Sequence, residues 1–266
     1  MTEKEMVAAY LKRIGVKGRP APTVKNLFML QKAHMLHIPY EDLDIWRGKA
    51  GSLAIEEVFE KIVVKGRGGY CFELNGLFAW LLKQLGYTVV EHFGRWLMGE
   101  SLAIPARRHR VIRVMFPKAT YIADVGVGQR APLEPLELDG EAQLCEGLRY
   151  RIVPDARLGH VQEVELKGVW TRVYSFDDAA QEPIDFNYVH WYCVNHPQSF
   201  FHANLLVHMP TLEGRRSIGS AQDPETGETV PLLSVSGKDG KTTRTYLRTP
   251  AALAAALKKH FGIVER

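Results

Sequence analysis

Apolar residues recur with helical spacing through the first third of the chain and with strand-like runs through most of the remainder. Met6, Tyr10, Leu11 and Ile14 fall on one face of a first helix, and Thr23 is placed to cap a second through Leu27, Leu30, Ala33 and His34. A third begins near Ser52-Leu53-Ala54-Ile55 and continues through Val58, Phe59, Ile62 and Val63. The strongest stripe comes next: Leu74, Leu77, Phe78, Leu81, Leu82 and Leu85 sit at i, i+3, i+4, i+7, i+8 and i+11, with Gly86 as the stop. This spacing predicts a helix packed on one face. Between the second and third helices, Pro39 interrupts the stretch from His37 to Ile45, whose retained apolar residues predict an irregular loop packed inward.

After Gly86, β-prone runs take over at 87–93, 109–116, 120–125, 150–153, 161–166 and 169–176. The aromatic-rich stretch from Asp185 to Pro197 reads as a mostly buried strand. Further strands are expected around 203–209, 230–236 and 242–248, the last two joined by the turn Gly237-Lys238-Asp239-Gly240. A short helix from Pro250 to His260 closes the sequence, with Thr249 placed to cap it. No internal repeat or low-complexity linker is visible, so the parts should pack tightly.

Candidate chemistry enters at two places. Gly68 and Gly69 let the backbone turn sharply into the fourth helix, which puts Cys71 in or next to its first turn. Unpaired N–H groups and the positive dipole end there favour thiolate. Cysteine is more often a small core hydrophobe, so this reading depends on partners elsewhere. The second place is the pair of strands joined by Pro117-Lys118-Ala119. If Pro117 and Lys118 form a two-residue loop, Phe116 pairs with Ala119, and His109 faces Gly126, diagonal to Asp124. A shift of two residues puts His109 opposite Asp124; in both registers the side chains share a face. A three-residue loop breaks that parity. Cysteine, histidine and aspartate would supply a nucleophile, a base that takes its proton, and a carboxylate that fixes the base, a set suited to acyl groups and thioesters.

Composition narrows the setting. The 266 residues, 46% hydrophobic and 24% charged, suit an ordinary soluble protein with a sizeable core. The net charge of +4, from 34 basic and 30 acidic residues without a long run, does not indicate a nucleic-acid surface and is compatible with an anionic small ligand. Met1-Thr2-Glu3-Lys4-Glu5-Met6 is charged where a secretory signal needs an apolar core, and no stretch approaches the roughly 20 apolar residues of a membrane span. A cytoplasmic protein without a membrane partner is expected, its Cys71, Cys145 and Cys193 being free thiols.

The run Arg67-Gly68-Gly69-Tyr70-Cys71-Phe72-Glu73-Leu74-Asn75 resembles the R-G-G-x-C-x-E-x-N signature of the arylamine N-acetyltransferases. The resemblance extends to His109 at the head of its strand, to Asp124-Val125-Gly126-Val127-Gly128, and to Pro132-Leu133-Glu134-Pro135-Leu136. Upstream, Ala33-His34 and Ile38-Pro39-Tyr40-Glu41-Asp42-Leu43-Asp44 resemble the family's A-H…I-P-F-E-N-L-D stretch; downstream, Tyr174-Ser175-Phe176 and Pro197-Gln198-Ser199-Phe200-Phe201 resemble its Y-x-F and P-x-S-x-F pieces. It implies an α+β fold: an N-terminal helical bundle over 1–86 carrying Cys71, a central β-barrel over 87–195 carrying His109 and Asp124, and a C-terminal α/β lid over 196–266, with a cysteine-protease-like triad. It also implies ping-pong transfer of acetyl from acetyl-coenzyme A through Cys71 to an arylamine, arylhydrazine or N-hydroxyarylamine. Tyr40, Phe72, Trp96 and Val127 would border the acceptor, and Gly126, Gly128, Phe201 and Lys238 would approach coenzyme A, with Lys241 beside them. By the same resemblance, Tyr40 and Val127 stand where phenylalanine is usual, which predicts a changed acceptor preference. Glu73 in the first helical turn is expected to pair with an arginine such as Arg67.

Other patterns weigh less. His190-x-x-Cys193-x-x-His196 has metal-site composition but lacks a fourth ligand, so core packing is expected and no metal. His34-x-x-His37 has no acidic third ligand, and Gly240-Lys241-Thr242 lacks both the earlier glycine and the following helix of a phosphate loop. Two further functions stay open at this level: a biosynthetic amide synthase moving a larger acyl group, and a non-catalytic homologue that binds coenzyme A or an amine.

Overall fold

The computed structural model describes residues 1–101, 104–128 and 131–264. Two threonines start the first helices: Thr2 and Thr23 accept hydrogen bonds from the N–H groups of Glu5 and Asn26 at the heads of α1 (Glu3–Arg13) and α2 (Val24–His37). Beyond Pro39 the chain is more regular than its sequence suggests, forming a short strand β1 (Tyr40–Glu41) and a single-turn helix α3 (Leu43–Trp46). The third predicted helix is α4 (Ile55–Phe59), which widens into a π turn over Glu60–Val64. The fourth is α5 (Cys71–Gln84).

Helix α5 is buried on more faces than its leucine stripe implies. Phe72, Asn75, Gly76 and Ala79 are buried along with the leucines. The helix lies between α1 and α4 on one side and the first barrel strands on the other. Those strands are β2 (Thr88–Trp96), β3 (Arg107–Met115), β4 (Thr120–Ala123) and β5 (Leu136–Glu137), continued by β6 (Gln143–Cys145), β7 (Leu148–Asp155), β8 (Gly159–Leu166) and β9 (Val169–Phe176). They form one antiparallel sheet in the order β5-β4-β3-β2-β9-β8-β7-β6, curled into a nearly closed barrel. At the seam, the Gln143 side chain accepts from the Glu137 N–H (2.8 Å) and donates to the Glu137 carbonyl (3.1 Å), which blunts the sheet edge. Of the hairpin registers left open by the sequence, β3–β4 takes the one with a two-residue loop: Met115 pairs with Thr120, Ile112 with Ala123, and the Phe116 N–H donates to the Ala119 carbonyl. Helices and barrel share one core, in which Tyr10, Leu30, Leu74 and Phe78 join Val111, Ile112 and Ile122.

The aromatic stretch after β9 is a helix, not a buried strand. In α6 (Phe186–Asn195) only Phe186, His190 and Cys193 are buried, spaced four and three apart, while Tyr188, Trp191 and Tyr192 are exposed. After α7 (Phe200–Ala203) come β10 (Leu206–Thr211), β11 (Gly214–Gln222), β12 (Thr229–Gly237) and β13 (Thr242–Tyr246), then α8 (Pro250–Phe261), capped by Thr249 as expected. Strand β11 escapes a hydrophobicity reading because Ile218 is its one large apolar residue. The second sheet runs β1-β10-β11-β12-β13, and α8 covers one of its faces through Leu253, Leu257 and Phe261 against Val207, Ile218 and Leu233. Among the described residues no helix is long and apolar enough to cross a membrane.

Strand β1 joins the two halves. Tyr40 and Glu41 pair with His208 and Val207 of β10, and the Glu41 N–H donates to the Gly69 carbonyl at 2.8 Å. Next to this junction Asp42 is 1% exposed; its Oδ1 accepts the Leu206 N–H at 2.8 Å and its Oδ2 has no partner. Burial pushes the Asp42 carboxyl up to about 8, with Glu41 acting the same way and Lys61 and the Leu206 hydrogen bond opposing. Between about pH 4 and 8 the folded chain keeps a proton that the unfolded chain has lost, so stability falls as pH rises through that window. Asp42→Asn keeps the acceptor and removes the titration. Its Tm should decline less than the wild-type Tm from about pH 6 to 9 in thermal unfolding; parallel pH curves would refute this reading of Asp42.

Candidate active site

The turn ahead of Cys71 is shaped by proximity rather than by special dihedrals. A Cβ on Gly68 would collide with the Pro39 carbonyl oxygen, and one on Gly69 would sit 2.9 Å from a Glu73 carboxylate oxygen. The expected sharp glycine turn is therefore a close approach to β1, with neither glycine at positive φ. Charges hold it from behind. Arg67 binds Glu41 and Asp44, while Lys61 bridges Asp44 and Glu73. Glu73 thus pairs with Lys61 and not with Arg67, and its other contact accepts the Tyr70 N–H (3.0 Å).

Cys71 occupies the first position of α5 and is 3% exposed, its thiol directed to the Arg108 carbonyl at 3.7 Å. Burial pushes this thiol well up, and Cys193 and Asp124 add to the effect against hydrogen bonds from the Phe72 and Arg110 backbone. Position at a helix terminus is therefore insufficient to ionise it. His109 stands on β3 opposite Gly94, where a Cβ would crowd Val111, Ser175 and His109 itself. Its Nε2 meets Asp124 Oδ2 at 2.7 Å, with both residues buried. Asp124 lies just past the end of β4 and is fixed by two donors at 2.8 Å each, the Asn75 amide and the Gly126 N–H. Since a carboxylate accepts, His109 donates from Nε2, which leaves Nδ1 as the basic ring nitrogen.

Cys71 and His109 open on the same cavity of about 430 Å³. Tyr40, Trp96, Gly126, Val127, Gly128 and Phe201 also line it. Phe72 does not: its ring is fully buried against Tyr70, Phe93 and Phe186 behind the thiol. Lys238 and Lys241 lie outside the lining, and Lys238 sits in the turn after β12, where its charge acts on Glu146. Met98, Gly99, Glu100, Arg108, Phe200, Leu206 and His208 complete the wall and were not anticipated. Leu206 and His208 alternate on β10 and so share a face, a signal available only once that strand's limits are known.

The lesser histidine motifs have local partners. His190 Nε2 meets the Gly51 carbonyl at 2.8 Å and must carry the proton, so Nδ1 accepts from the Tyr70 hydroxyl (2.5 Å). His196 stacks on Tyr192 at 4.4 Å. His34 hydrogen-bonds the Tyr10 hydroxyl and is held neutral by burial, which lowers it to about 3. Cys193 is buried in α6, its thiol pushed up to about 12, and does not line the cavity.

Fold and site are those of a cysteine-dependent acyltransferase, with a thiol, an oriented imidazole and an apolar cavity meeting where two sheets and a helix converge. The family model described as N-acetyltransferase matches residues 23–265. An arylamine N-acetyltransferase of Mycolicibacterium smegmatis is 34% identical over 97% of this chain and 91% of its own length. A Salmonella typhimurium enzyme named arylamine N-acetyltransferase / N-hydroxyarylamine O-acetyltransferase is 34% identical over 76% of this chain and 73% of its own. The solved Mycobacterium marinum arylamine N-acetyltransferase in complex with CoA superposes with a TM-score of 0.85 at 30% identity, covering 97% of this chain and 92% of that one. The chain belongs to the arylamine N-acetyltransferase family.

Asn75 offers a direct test of how the site is held. Its Nδ2 donates to the Arg110 carbonyl (2.6 Å) and Asp124 (2.8 Å), and its Oδ1 accepts the Val125 N–H (2.9 Å). Asn75→Ala strands these buried partners, each omission costing about 1–3 kcal/mol. Thermal denaturation should show a Tm lower by several degrees, and single-turnover acylation should slow as Asp124 loses an anchor. An unchanged acylation rate would separate Asn75 from the alignment of the site.

Proposed function

We propose that the protein moves an acetyl group from acetyl-coenzyme A to an arylamine, arylhydrazine or N-hydroxyarylamine through a thioester on Cys71. The observation that carries this reading is that His109, held by Asp124 at 2.7 Å, opens with Cys71 on one cavity. Because burial makes a lone thiolate costly, the thiol ionises by passing its proton to His109 Nδ1, and Asp124 balances the imidazolium. The sulfur attacks the thioester carbonyl, and the N–H of Cys71, at the open end of α5, is placed to donate to the oxyanion. Collapse breaks the donor's C–S bond; coenzyme A leaves as a thiol with the proton from His109. The amine nitrogen then attacks the acetyl-Cys71 carbonyl, His109 takes the amine proton, and it returns that proton to the departing Cys71 sulfur.

The M. marinum relative's complex with CoA supports this donor. The same reading divides labour along the chain: residues 1–86 carry the nucleophile, 87–195 the base and its carboxylate, and 196–266 close the donor side. Tyr40, Trp96 and Val127 border the acceptor, and Gly126, Gly128 and Phe201 border the donor arm.

Incubation with acetyl-coenzyme A and no amine should add one acetyl group at Cys71, located by peptide mass spectrometry and lost when an arylamine is supplied. A folded protein left unmodified at Cys71 by this and other acyl thioesters would refute the mechanism. Val127 is 5% exposed and small for its place in the wall. Val127→Phe should lower kcat/KM for bulky amines relative to slim ones by about tenfold or more, the scale of one to three methylene-sized clashes. Unchanged relative rates would remove Val127 from the acceptor wall.

A further inference from the structure

Helix α6 presents an outer face that is aromatic and free of charge. Its exposed positions are Asn187, Tyr188, Trp191, Tyr192 and Asn195, whereas α1 exposes Glu3, Lys4, Glu5 and Lys12. Tyr188 is 88% exposed, Trp191 62% and Tyr192 42%; Ile184, one turn ahead of Tyr188, is 70% exposed. Ile184, Tyr188, Trp191 and Asn195 follow at four, three and four residues and so form one stripe. Single apolar residues on a surface need no explanation, but a contiguous aromatic patch does. Tryptophan and tyrosine are also the side chains that contact surfaces favour.

The patch stands back to back with the active site. On its inner side α6 sets Phe186 against Phe72 and His190 on the Tyr70 hydroxyl, next to Cys71. The Ser199 hydroxyl donates to the Cys193 carbonyl at 2.6 Å, which ties α6 to the Phe200 and Phe201 wall of the cavity. Tyr188 and Trp191 take no part in these contacts.

Charge at the two ends of α6 points to what covers it. Glu182 and Asp185 are exposed at its start, and His196 stands at its end. The Gln198 N–H donates to His196 Nδ1 at 3.2 Å, so Nε2 carries the proton and is a donor without a hydrogen-bond partner among the described residues. Asp185 and His196 are separated by about three helical turns, which puts acid and donor on the same flank. In an antiparallel pair of α6 helices, the acids of each copy meet the partner's His196, the helix dipoles are opposed, and Trp191 lies beside the twofold axis. No lysine or arginine occurs between residues 181 and 204, which disfavours an anionic membrane as the occupant. At about 150–250 Å² for each fully buried aromatic, the exposed parts of Tyr188, Trp191, Tyr192 and Ile184 supply roughly 500 Å² of the ~800 Å² per partner in a standard interface. Pro183, Asn187, Asn195 and Gln198, all exposed beside them, provide a rim.

We propose that two copies of this chain pair through the outer faces of α6, antiparallel about a twofold axis, with Tyr188 and Trp191 at the centre and Asp185 of each copy against the partner's His196.

Sedimentation velocity at rising protein concentration tests the pairing. The wild type should shift from one chain mass to two. Trp191→Ser and Tyr188→Ser should remain at one, while Leu144→Ser, which alters a comparably exposed apolar residue on β6, should dimerise like the wild type. A cooperative thermal melt shows that each variant is folded. His196→Asp keeps an acceptor for the Gln198 N–H and sets like charges face to face, so dimer affinity should fall by about tenfold or more. A wild type that stays monomeric at every concentration overturns the proposal, as does a dimer indifferent to Tyr188 and Trp191. A dimer weakened by Trp191→Ser but not by His196→Asp overturns the antiparallel pairing. A monomer that pellets with phosphatidylcholine–phosphatidylglycerol vesicles, and ceases to do so on Trp191→Ser, gives the face to lipid and overturns the dimer.

Discussion

The amide of Asn75 is the fastening on which the site depends. Cys71 and Asn75 sit one turn apart on α5, while Arg110, Asp124 and Val125 belong to β3 and the end of β4. Three hydrogen bonds from one side chain cross that boundary, so the helix bearing the thiol and the strands bearing imidazole and carboxylate are set against each other within hydrogen-bond tolerance. The fit leaves no room for a side chain where Gly126 passes the helix: a Cβ there would lie 2.8 Å from Cys71 Cα and 2.9 Å from Asn75 Nδ2. Arg110 reinforces the same boundary. Its Nε donates to the buried Glu91 carboxylate, its Nη1 donates to the Phe72 carbonyl, and its guanidinium covers the Phe186 ring at 4.2 Å. Gly76 leaves the space that this guanidinium fills.

Burial of so many charged groups has a chemical consequence. The cavity is a poor solvent for an isolated thiolate, yet proton transfer from Cys71 to His109 would create no net charge and leave the imidazolium beside Asp124. The site is therefore suited to a nucleophile that is ionised only as a pair. Behind it, the chain Arg67, Glu41, Asp44, Lys61 and Glu73 holds the turn without touching the cavity, so its ion pairs act through backbone position.

The parts legible in the sequence were those set by local rules. The hairpin register followed once the loop had two residues, and with it the shared face of His109 and Asp124; the start of α5 followed from Gly68 and Gly69, and its course from the leucine period ending at Gly86. The misreadings arose where tertiary context outweighed local preference. Aromatic residues between 185 and 197 suggested a strand, but the burial of Phe186, His190 and Cys193 is that of a helix with its aromatic side exposed. Strand β11 was invisible because serines and arginines on both its faces give no apolar alternation. Phe72 adjoins Cys71 in sequence, yet helical rotation turns its ring into the core behind the thiol.

That same polar strand shows why the sheet face carries information that hydrophobicity does not. A sheet with α8 on one side is free to present solvated residues on the other, and exposure alone would explain serines and threonines there. Exposure does not explain why Arg215 and Arg244, without ion-pair partners among the described residues, border a groove that continues into the Cys71 cavity past Gly128, where a side chain would be strained. Strand β1 makes this face part of the catalytic geometry, since Tyr40 pairs with His208 on one edge and bridges to Gly69 on the other. The sheet face is thus fixed relative to the Cys71 turn through two backbone pairings.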